Sequence, residues 1–152
     1  MVHKELTKKI TLKRLRSFSI FWSLFIGIGA IAGASGMISD PSGAALGLVE
    51  WLHFFQKLPF AEIFFQDLLF PGIALLTVNG LTNIISAFLI FSRNKYAALS
   101  GMICGIILIL WIFVQFYIFP LNFMSTLYFV FGLLQALTGY MYWKREKEEI
   151  ND

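Results

Sequence analysis

Four long runs of apolar residues constrain this chain more than any other feature. The runs cover about residues 17–38, 71–92, 96–119 and 122–143, and none contains an Asp, Glu, Lys, Arg or His. A helix needs roughly 20 apolar residues to cross a hydrocarbon core of about 30 Å. The sequence therefore predicts four transmembrane helices, which we call spans one to four, in one domain that covers residues 1–152.

The composition agrees with a membrane protein. Hydrophobic residues make up 58% of the chain and charged residues 14%, whereas soluble domains average about 45–50% and about 25%. The single cysteine, Cys104, lies within span three, so an internal disulfide and a CxxC redox pair are excluded. The predicted fold class is an all-α integral membrane four-helix bundle.

The basic residues lie in three segments between or beyond the spans. Of the 12 Lys and Arg residues, only Lys57 lies outside residues 1–16, 93–95 and 144–152. The positive-inside rule therefore places the tails 1–16 and 144–152 in the cytoplasm. The same rule explains the basic pI of about 9.1 without a nucleic-acid partner.

The N-terminal region admits alternatives. A basic head, an apolar run and the small residues Ala32–Ser35 also fit a signal peptide with its cleavage site. The run continues to Ile38, which favours an uncleaved span, and cleavage would leave three spans in the same orientation. The head itself is expected to be a partly disordered tail, or an interfacial helix with Val2, Leu6 and Ile10 on one stripe.

Residues 39–70 are the one large loop on the extracytoplasmic side. Asp40 followed by Pro41 predicts a helix start, with an N-cap and a proline in the first turn. Apolar residues then recur at helical spacing, namely Ala45, Leu48, Val49, Leu52 and Phe55. Pro59 restarts the chain before a second apolar face at Phe60, Ile63 and Phe64. The loop is therefore predicted to carry two short amphipathic helices that lie in the membrane interface.

The loop also holds the polar residues with the most chemistry. These outer-loop residues are Asp40, Glu50, His53, Glu62 and Asp67. They lack a metal-ligand spacing signature, and an amphipathic helix already requires polar residues on one face. A solvated polar face is the favoured interpretation, so the sequence predicts no metal, no other cofactor and no catalytic residue.

Small residues within the spans predict close helix packing. Span one carries the pair Gly29 and Gly33, and span three carries Gly101 and Gly105, both at GxxxG spacing. Glycine lets the backbones of two membrane helices approach each other. Packing within the chain is favoured over homodimerisation.

Span two carries a polar stripe. Asn79, Asn83 and Ser86 follow each other at i, i+4 and i+7, so they share a helix face. Gln115 of span three and Gln135 of span four are expected to meet this stripe, because buried amides in lipid need partners. The favoured interpretation is interhelical hydrogen bonding, and the alternative is a pocket for a head group or small ligand that opens towards the loop.

Aromatic residues near the predicted span ends are interpreted as interfacial anchors. They are Trp111, Tyr117, Tyr128, Tyr140, Tyr142 and Trp143. Trp and Tyr are enriched at both membrane–water interfaces.

The chain resembles a set of small bacterial four-span membrane proteins that have no established activity. The resemblance covers residues 17–143 and rests on "DPSGAALG" after span one, "LPF" in the loop, "PG" at the start of span two, Asn and Gly within span two, and the Trp111–Gln115 spacing. It implies four spans in the bacterial cytoplasmic membrane and no particular chemistry.

Three function classes remain. The favoured one is a non-catalytic membrane protein that binds lipid or another membrane protein through the outer loop and span two. The second is an oligomer of this chain that transports a small neutral or amphiphilic solute, which requires a continuous polar path. The third is an enzyme acting on lipid head groups, which requires the outer-loop residues to converge over Asn79.

Overall fold

The computed structural model describes the backbone of residues 2–151 and the side chains of residues 11–149. Within that range the chain is all-helical, without strands, which confirms the all-α part of the predicted class. The elements are α1 Val2–Ser39, α2 Val49–Phe55, α3 Ala61–Phe64, α4 Leu69–Leu75, a π segment Leu76–Leu81, α5 Thr82–Phe91, α6 Ala97–Ile118 and α7 Phe123–Asn151. Span two is therefore one continuous helix built from α4, the π segment and α5.

Four helices in the described part of the chain are long and apolar enough to cross a membrane. They cover Thr11–Ser39, Leu69–Phe91, Ala97–Ile118 and Phe123–Glu149. Each contains most or all of one predicted span. The number of spans and their places in the chain are therefore as the uncharged runs predicted.

The two terminal segments extend the first and last spans as helix. Helix α1 begins at Val2, so the expectation of a partly disordered head is wrong for the backbone of residues 2–16. This segment contains no Gly or Pro that would end a helix. The predicted stripe of Val2, Leu6 and Ile10 falls outside the described side chains. Helix α7 likewise continues through the basic tail to Asn151.

The helices form a ring in the order α1, span two, α6, α7. Helix α1 packs against span two and α7, and α6 packs against α5 and α7. The start of α1, the end of α7 and the 92–96 turn lie at one end of the bundle, which we call the terminal end. The loop 40–68 and the 119–122 turn lie at the other, which we call the loop end. At the terminal end a buried apolar cluster joins Leu15, Ile90, Ala97, Ala98 and Tyr142.

Glycines bring α6 and α7 into backbone contact. A Cβ on Gly105 would lie less than 3.0 Å from the backbone of Ala136, and one on Gly139 equally close to that of Met102. Packing within the chain is thus confirmed for Gly105. Gly29 and Gly33 also face other helices of this chain, where a Cβ would meet side chains and not backbone.

The predicted helix start at Asp40 is wrong. Residues 41–47 form turns, in which Gly43 has φ 76° and Gly47 has φ 65°. Right-handed helix requires negative φ, so these glycines delay the helix until Val49. The Asp40 carboxylate instead accepts hydrogen bonds from Ser42 N (3.2 Å), Ser42 Oγ (2.6 Å) and Ala45 N (2.8 Å). It caps a turn, which is a common use of an Asp side chain.

Candidate ligand-binding cavity

A cavity of about 450 Å³ lies between the four spans in the loop half of the bundle. Its lining comes from every span, from the loop and from the 119–122 turn: Ile26, Gly29, Ala30, Gly33, Met37, Leu46, Gly47, Leu48, Trp51, Phe55, Leu68, Leu75, Asn79, Leu108, Trp111, Ile112, Gln115, Phe119, Asn122, Met124, Ser125 and Tyr128. Pockets for small ligands measure about 300–1,000 Å³ and are mostly apolar with a few polar groups. This cavity has that size and that lining.

The small residues of α1 provide the space. Gly29, Ala30 and Gly33 all line the cavity. A Cβ on Gly33 would be in ordinary contact with Leu75 Cδ2 at 3.5 Å, and a Cβ on Gly29 would lie 3.0 Å from the Tyr128 hydroxyl. Gly33 therefore leaves room beside span two, and Gly29 allows the Tyr128 hydroxyl of α7 to approach α1 closely.

The loop covers the end of the cavity through aromatic contacts. The rings of Trp51 and Phe55 lie 5.0 and 4.9 Å from the ring of Phe119. Phe55 also stacks on Phe65 at 5.5 Å. The backbone N–H of Leu68 donates to the Pro41 carbonyl at 2.9 Å, which joins the two ends of the loop.

Two side chains of the cavity carry buried polar atoms with no hydrogen-bond partner in the described chain. They are Asn79, through both Nδ2 and Oδ1, and Trp111, through Nε1. Asn79 is only 1% exposed. Burying an amide without partners costs about 1–3 kcal/mol judged from protein mutations. Asn79 also lies in the π segment, and such segments occur frequently at functional sites.

Three other polar residues of the cavity, Gln115, Asn122 and Ser125, are hydrogen-bonded to one another. The Ser125 hydroxyl donates to Gln115 Oε1 at 3.0 Å, and Ser125 N donates to Asn122 Oδ1 at 2.8 Å. Among the described side chains, those that line the cavity include no Asp, Glu, Lys, Arg or His. The lining therefore suits an uncharged or mostly apolar occupant.

A second set of polar residues lies in the terminal half of the bundle. We call it the inner network, and its members are Ser23, Asn83, Ser86, Ser100 and Gln135. Gln135 Nε2 donates to Asn83 Oδ1 at 2.6 Å and to Ser23 Oγ at 3.2 Å. Ser23 Oγ donates to Ser86 Oγ at 3.4 Å, and Ser86 Oγ lies 3.0 Å from Ser100 Oγ. The network thus joins all four spans by hydrogen bonds.

Most, but not all, of the buried polar atoms in and beside the inner network have hydrogen-bond partners. Asn83 Nδ2 donates to the carbonyl of Asn79 at 2.9 Å, which links the network to the π segment. Gln135 Oε1 and Ser19 Oγ are buried without a partner in the described chain. Each of these is a single oxygen, whereas Asn79 lacks partners for its entire side-chain amide.

The structure divides the residues of the predicted span-two site. Asn83, Ser86 and Gln135 meet in the inner network, as hydrogen bonding between spans requires. Asn79 and Gln115 line the cavity instead, and Gln115 bonds to Ser125 and not to span two. Hydrogen bonding between spans is therefore found for Asn83, Ser86 and Gln135, whereas Asn79 and Gln115 lie at a cavity.

Several residues of these sites were missed by the sequence reasoning. Trp111 and Tyr128 were interpreted as interfacial anchors, but both line the cavity. Tyr142 is 3% exposed, so it too is buried within the bundle. Ser23 and Ser100 were not singled out, although the i, i+4 spacing of Ser19 and Ser23 in an apolar span is a polar-face signal.

The outer-loop residues do not converge. Asp40 caps its turn, and Asp67 Oδ1 accepts the N–H of Leu69 at the start of α4 at 2.9 Å. Glu50, His53 and Glu62 are exposed. Within residues 11–149, no three His, Cys, Asp or Glu side chains are arranged to hold a metal ion. The convergence that an enzyme acting on head groups needs is therefore not found in the described chain.

Comparison with known proteins gives no further constraint. No protein-family model, no curated protein and no solved structure matches this chain.

Proposed function

We propose that this protein is a non-catalytic, multi-pass protein of the bacterial cytoplasmic membrane that binds a membrane-derived amphiphile in the cavity. The observation that carries the proposal is an apolar cavity of about 450 Å³ between helices long and apolar enough to span a membrane, with unpartnered polar atoms on Asn79 and Trp111. An amphiphile matches such a lining, because its tail contacts apolar side chains while its head supplies hydrogen bonds.

The orientation follows from charge. We place both termini in the cytoplasm because the basic residues, apart from Lys57, lie in segments at the terminal end of the bundle. The loop end and the cavity then face outwards.

The exposed apolar side chains of the loop support contact with the membrane surface. Phe60, Ile63 and Phe64 are 72%, 71% and 44% exposed, and they lie in or directly before α3. Glu62 and Gln66 beside them are also exposed. Amphipathic segments of this kind bury their apolar residues at the boundary between head groups and acyl chains. We therefore place α2 and α3 in the outer interface, above the cavity.

Transport of a small neutral solute is the second candidate. Polar side chains continue from Gln115 and Asn79 in the cavity to Asn83 and Ser86 in the inner network, so polarity extends through both halves of the bundle. The inner network is packed and its members are hydrogen-bonded to one another. A binding role requires only the cavity, and for that reason we favour it.

A matched pair of substitutions on α1 tests the binding role. Gly33→Leu places a branched side chain at the cavity wall, whereas Ala32→Leu adds the same side chain on the exposed side of the same helix. Native mass spectrometry of protein released in mild detergent should show a retained lipid on the wild type and on Ala32→Leu. Gly33→Leu should lose it. A wild-type chain that carries no lipid, or equal retention by both variants, would contradict the proposal.

A further inference from the structure

Resting on the proposed function, we infer that the occupant of the cavity is an uncharged lipid whose head group carries both a hydrogen-bond donor and an acceptor, such as a hydroxyl or a primary amide. This head lies against Asn79. The inference draws on the unpartnered atoms of Asn79 and Trp111, on the depth of Asn79 in the bundle and on the absence of charge from the described lining.

The Asn79 side chain determines which hydrogen-bonding groups the head group of the lipid must carry. Its Nδ2 donates and its Oδ1 accepts, and neither atom has a partner within the described chain. At 1% exposure the amide is also shielded from solvent. A hydroxyl or an amide satisfies both atoms together, whereas an ester or a ketone only accepts and would leave Oδ1 without a donor.

Trp111 adds a second donor. Its indole Nε1 has no partner in the described chain, and an indole N–H only donates. Among the buried polar atoms of the described lining, two donor nitrogens and one acceptor oxygen are therefore without partners. A head-group oxygen with two lone pairs is able to accept from both donors, which hydroxyl and amide oxygens do equally well.

The depth of Asn79 excludes a charged head. Asn79 lies near the middle of span two, which runs from Leu69 to Phe91. A phosphate or carboxylate at that depth would be far from water, and the described lining contains no cation to pair with it. Charge near the centre of a membrane is costly unless it is paired. Phospholipids and ionised fatty acids are thus poor occupants for this position.

A panel of lipids that differ only in the head group tests the inference. We would use oleamide, monoolein, oleate at alkaline pH and octadecene, which carry an amide, a glycerol, an anion and no head group. Binding would be measured by native mass spectrometry and by the thermal midpoint, which rises when a ligand binds the folded state. The variants are Asn79→Leu, Trp111→Phe and the control Thr77→Leu, which replaces an exposed polar side chain of the same π segment.

The expected result is a preference that depends on Asn79. Wild type and Thr77→Leu should bind oleamide and monoolein about tenfold more tightly than octadecene, which is the effect of about one good hydrogen bond. Asn79→Leu should abolish this difference while still binding octadecene. Trp111→Phe, which keeps an aromatic ring, should reduce the difference severalfold.

The possible failures are distinguishable. If octadecene binds the wild type as tightly as oleamide, or if oleate binds most tightly, the head-group inference is overturned while the cavity still binds lipid. The same holds if Asn79→Leu keeps the full preference. If no probe binds and Gly33→Leu behaves like Ala32→Leu, both the inference and the proposed function are overturned.

Discussion

Asn79 and Asn83 lie one turn apart on the same helix, both are almost fully buried, and they have opposite surroundings. Asn83 belongs to the inner network, where it accepts from Gln135 and donates to a backbone carbonyl. Asn79 faces the cavity with its whole side-chain amide unpartnered. The two residues have the same side chain and nearly the same depth in the bundle. Only their hydrogen-bond partners show that one holds helices together and the other lines a cavity.

The glycines repeat the contrast between the two halves. Gly105 and Gly139 bring α6 and α7 into backbone contact, whereas Gly29 and Gly33 face the cavity. Glycines therefore close one interface and line a cavity at another.

The strongest test is alanine at a glycine of each kind. Gly105→Ala should destabilise the fold by about 3 kcal/mol or more, because the new Cβ meets the backbone of Ala136, which cannot move aside as a side chain can. Gly33→Ala should be neutral or stabilise by up to about 1 kcal/mol, because its Cβ is in ordinary contact and alanine favours helix. Unfolding from mild detergent into a denaturing one measures both. Equal effects would mean that the two interfaces do not differ in packing.

The two asparagines provide the next test. Asn83→Leu should destabilise the bundle by about 1–2 kcal/mol, because Gln135 Nε2 loses its shorter bond and the Asn79 carbonyl loses a donor. Asn79→Leu should leave stability unchanged or raise it, because it removes an amide that has no partner. The same unfolding assay, performed on delipidated protein, measures the difference. A larger loss from Asn79→Leu than from Asn83→Leu would reverse our assignment of the two residues.

Arg16 tests how the terminal half is held closed. Its Nε donates to the Ile90 carbonyl at 3.1 Å and its Nη2 to the Phe91 carbonyl at 2.7 Å, at the C-terminal end of α5. A cation at a helix C-terminus stabilises the last carbonyls, so Arg16→Gln should cost about 1 kcal/mol. Arg14→Gln, an exposed position on the same helix, is the control and should change stability little. Equal losses would show that net charge matters and not the two bonds.

Asp40 gives the smallest and most local effect, at the loop half. The pKa of Asp40 is lowered below its ordinary value of 3.8 because its carboxylate accepts hydrogen bonds. The largest contribution comes from the Ser42 hydroxyl, and the next from the Ala45 N–H. A lowered pKa contributes stability that is present above pH 3.8 and is lost as the pH falls through the folded-state pKa.

Proteolysis of the loop at a series of pH values measures this contribution. Asp40→Asn should make the loop more susceptible than the wild type at neutral pH, and the difference should shrink as the pH falls below 3.8. Ser42→Ala should show part of the same effect. A difference that grows on acidification would show the opposite sign and would contradict the role of the carboxylate.

The arrangement of spans was predictable from the sequence because hydrocarbon thickness sets helix length. The spans that end near Ile38 and Ser92 were predictable from the absence of charged residues alone, because charge is costly in a membrane core. The loop was predictable only in outline. Asp40 and Pro41 match the residue types of a helix start. The helix is delayed because Gly43 and Gly47 have positive φ. Glycine permits this conformation but does not require it, so the sequence did not reveal it.

The cavity was predictable only in part, for two physical reasons. Helical spacing placed Asn79 and Asn83 on one face, but the π segment between Leu76 and Leu81 has no sequence signal that we recognised. In addition, GxxxG spacing indicates that another helix is able to approach closely. It does not indicate whether a neighbouring helix of the fold comes that close. Trp111 was assigned to the interface by residue type, whereas its place in the cavity wall depends on how α1 packs opposite it.

Gln135 has a consequence for how the chain is made. Its side chain completes bonds to Ser23, which is 112 residues earlier, and to Asn83. Synthesis proceeds from the N-terminus, so spans one to three are made before their main amide donor exists. Until α7 packs against them, the side-chain oxygen of Asn83 lacks the donor that Gln135 supplies in the folded chain.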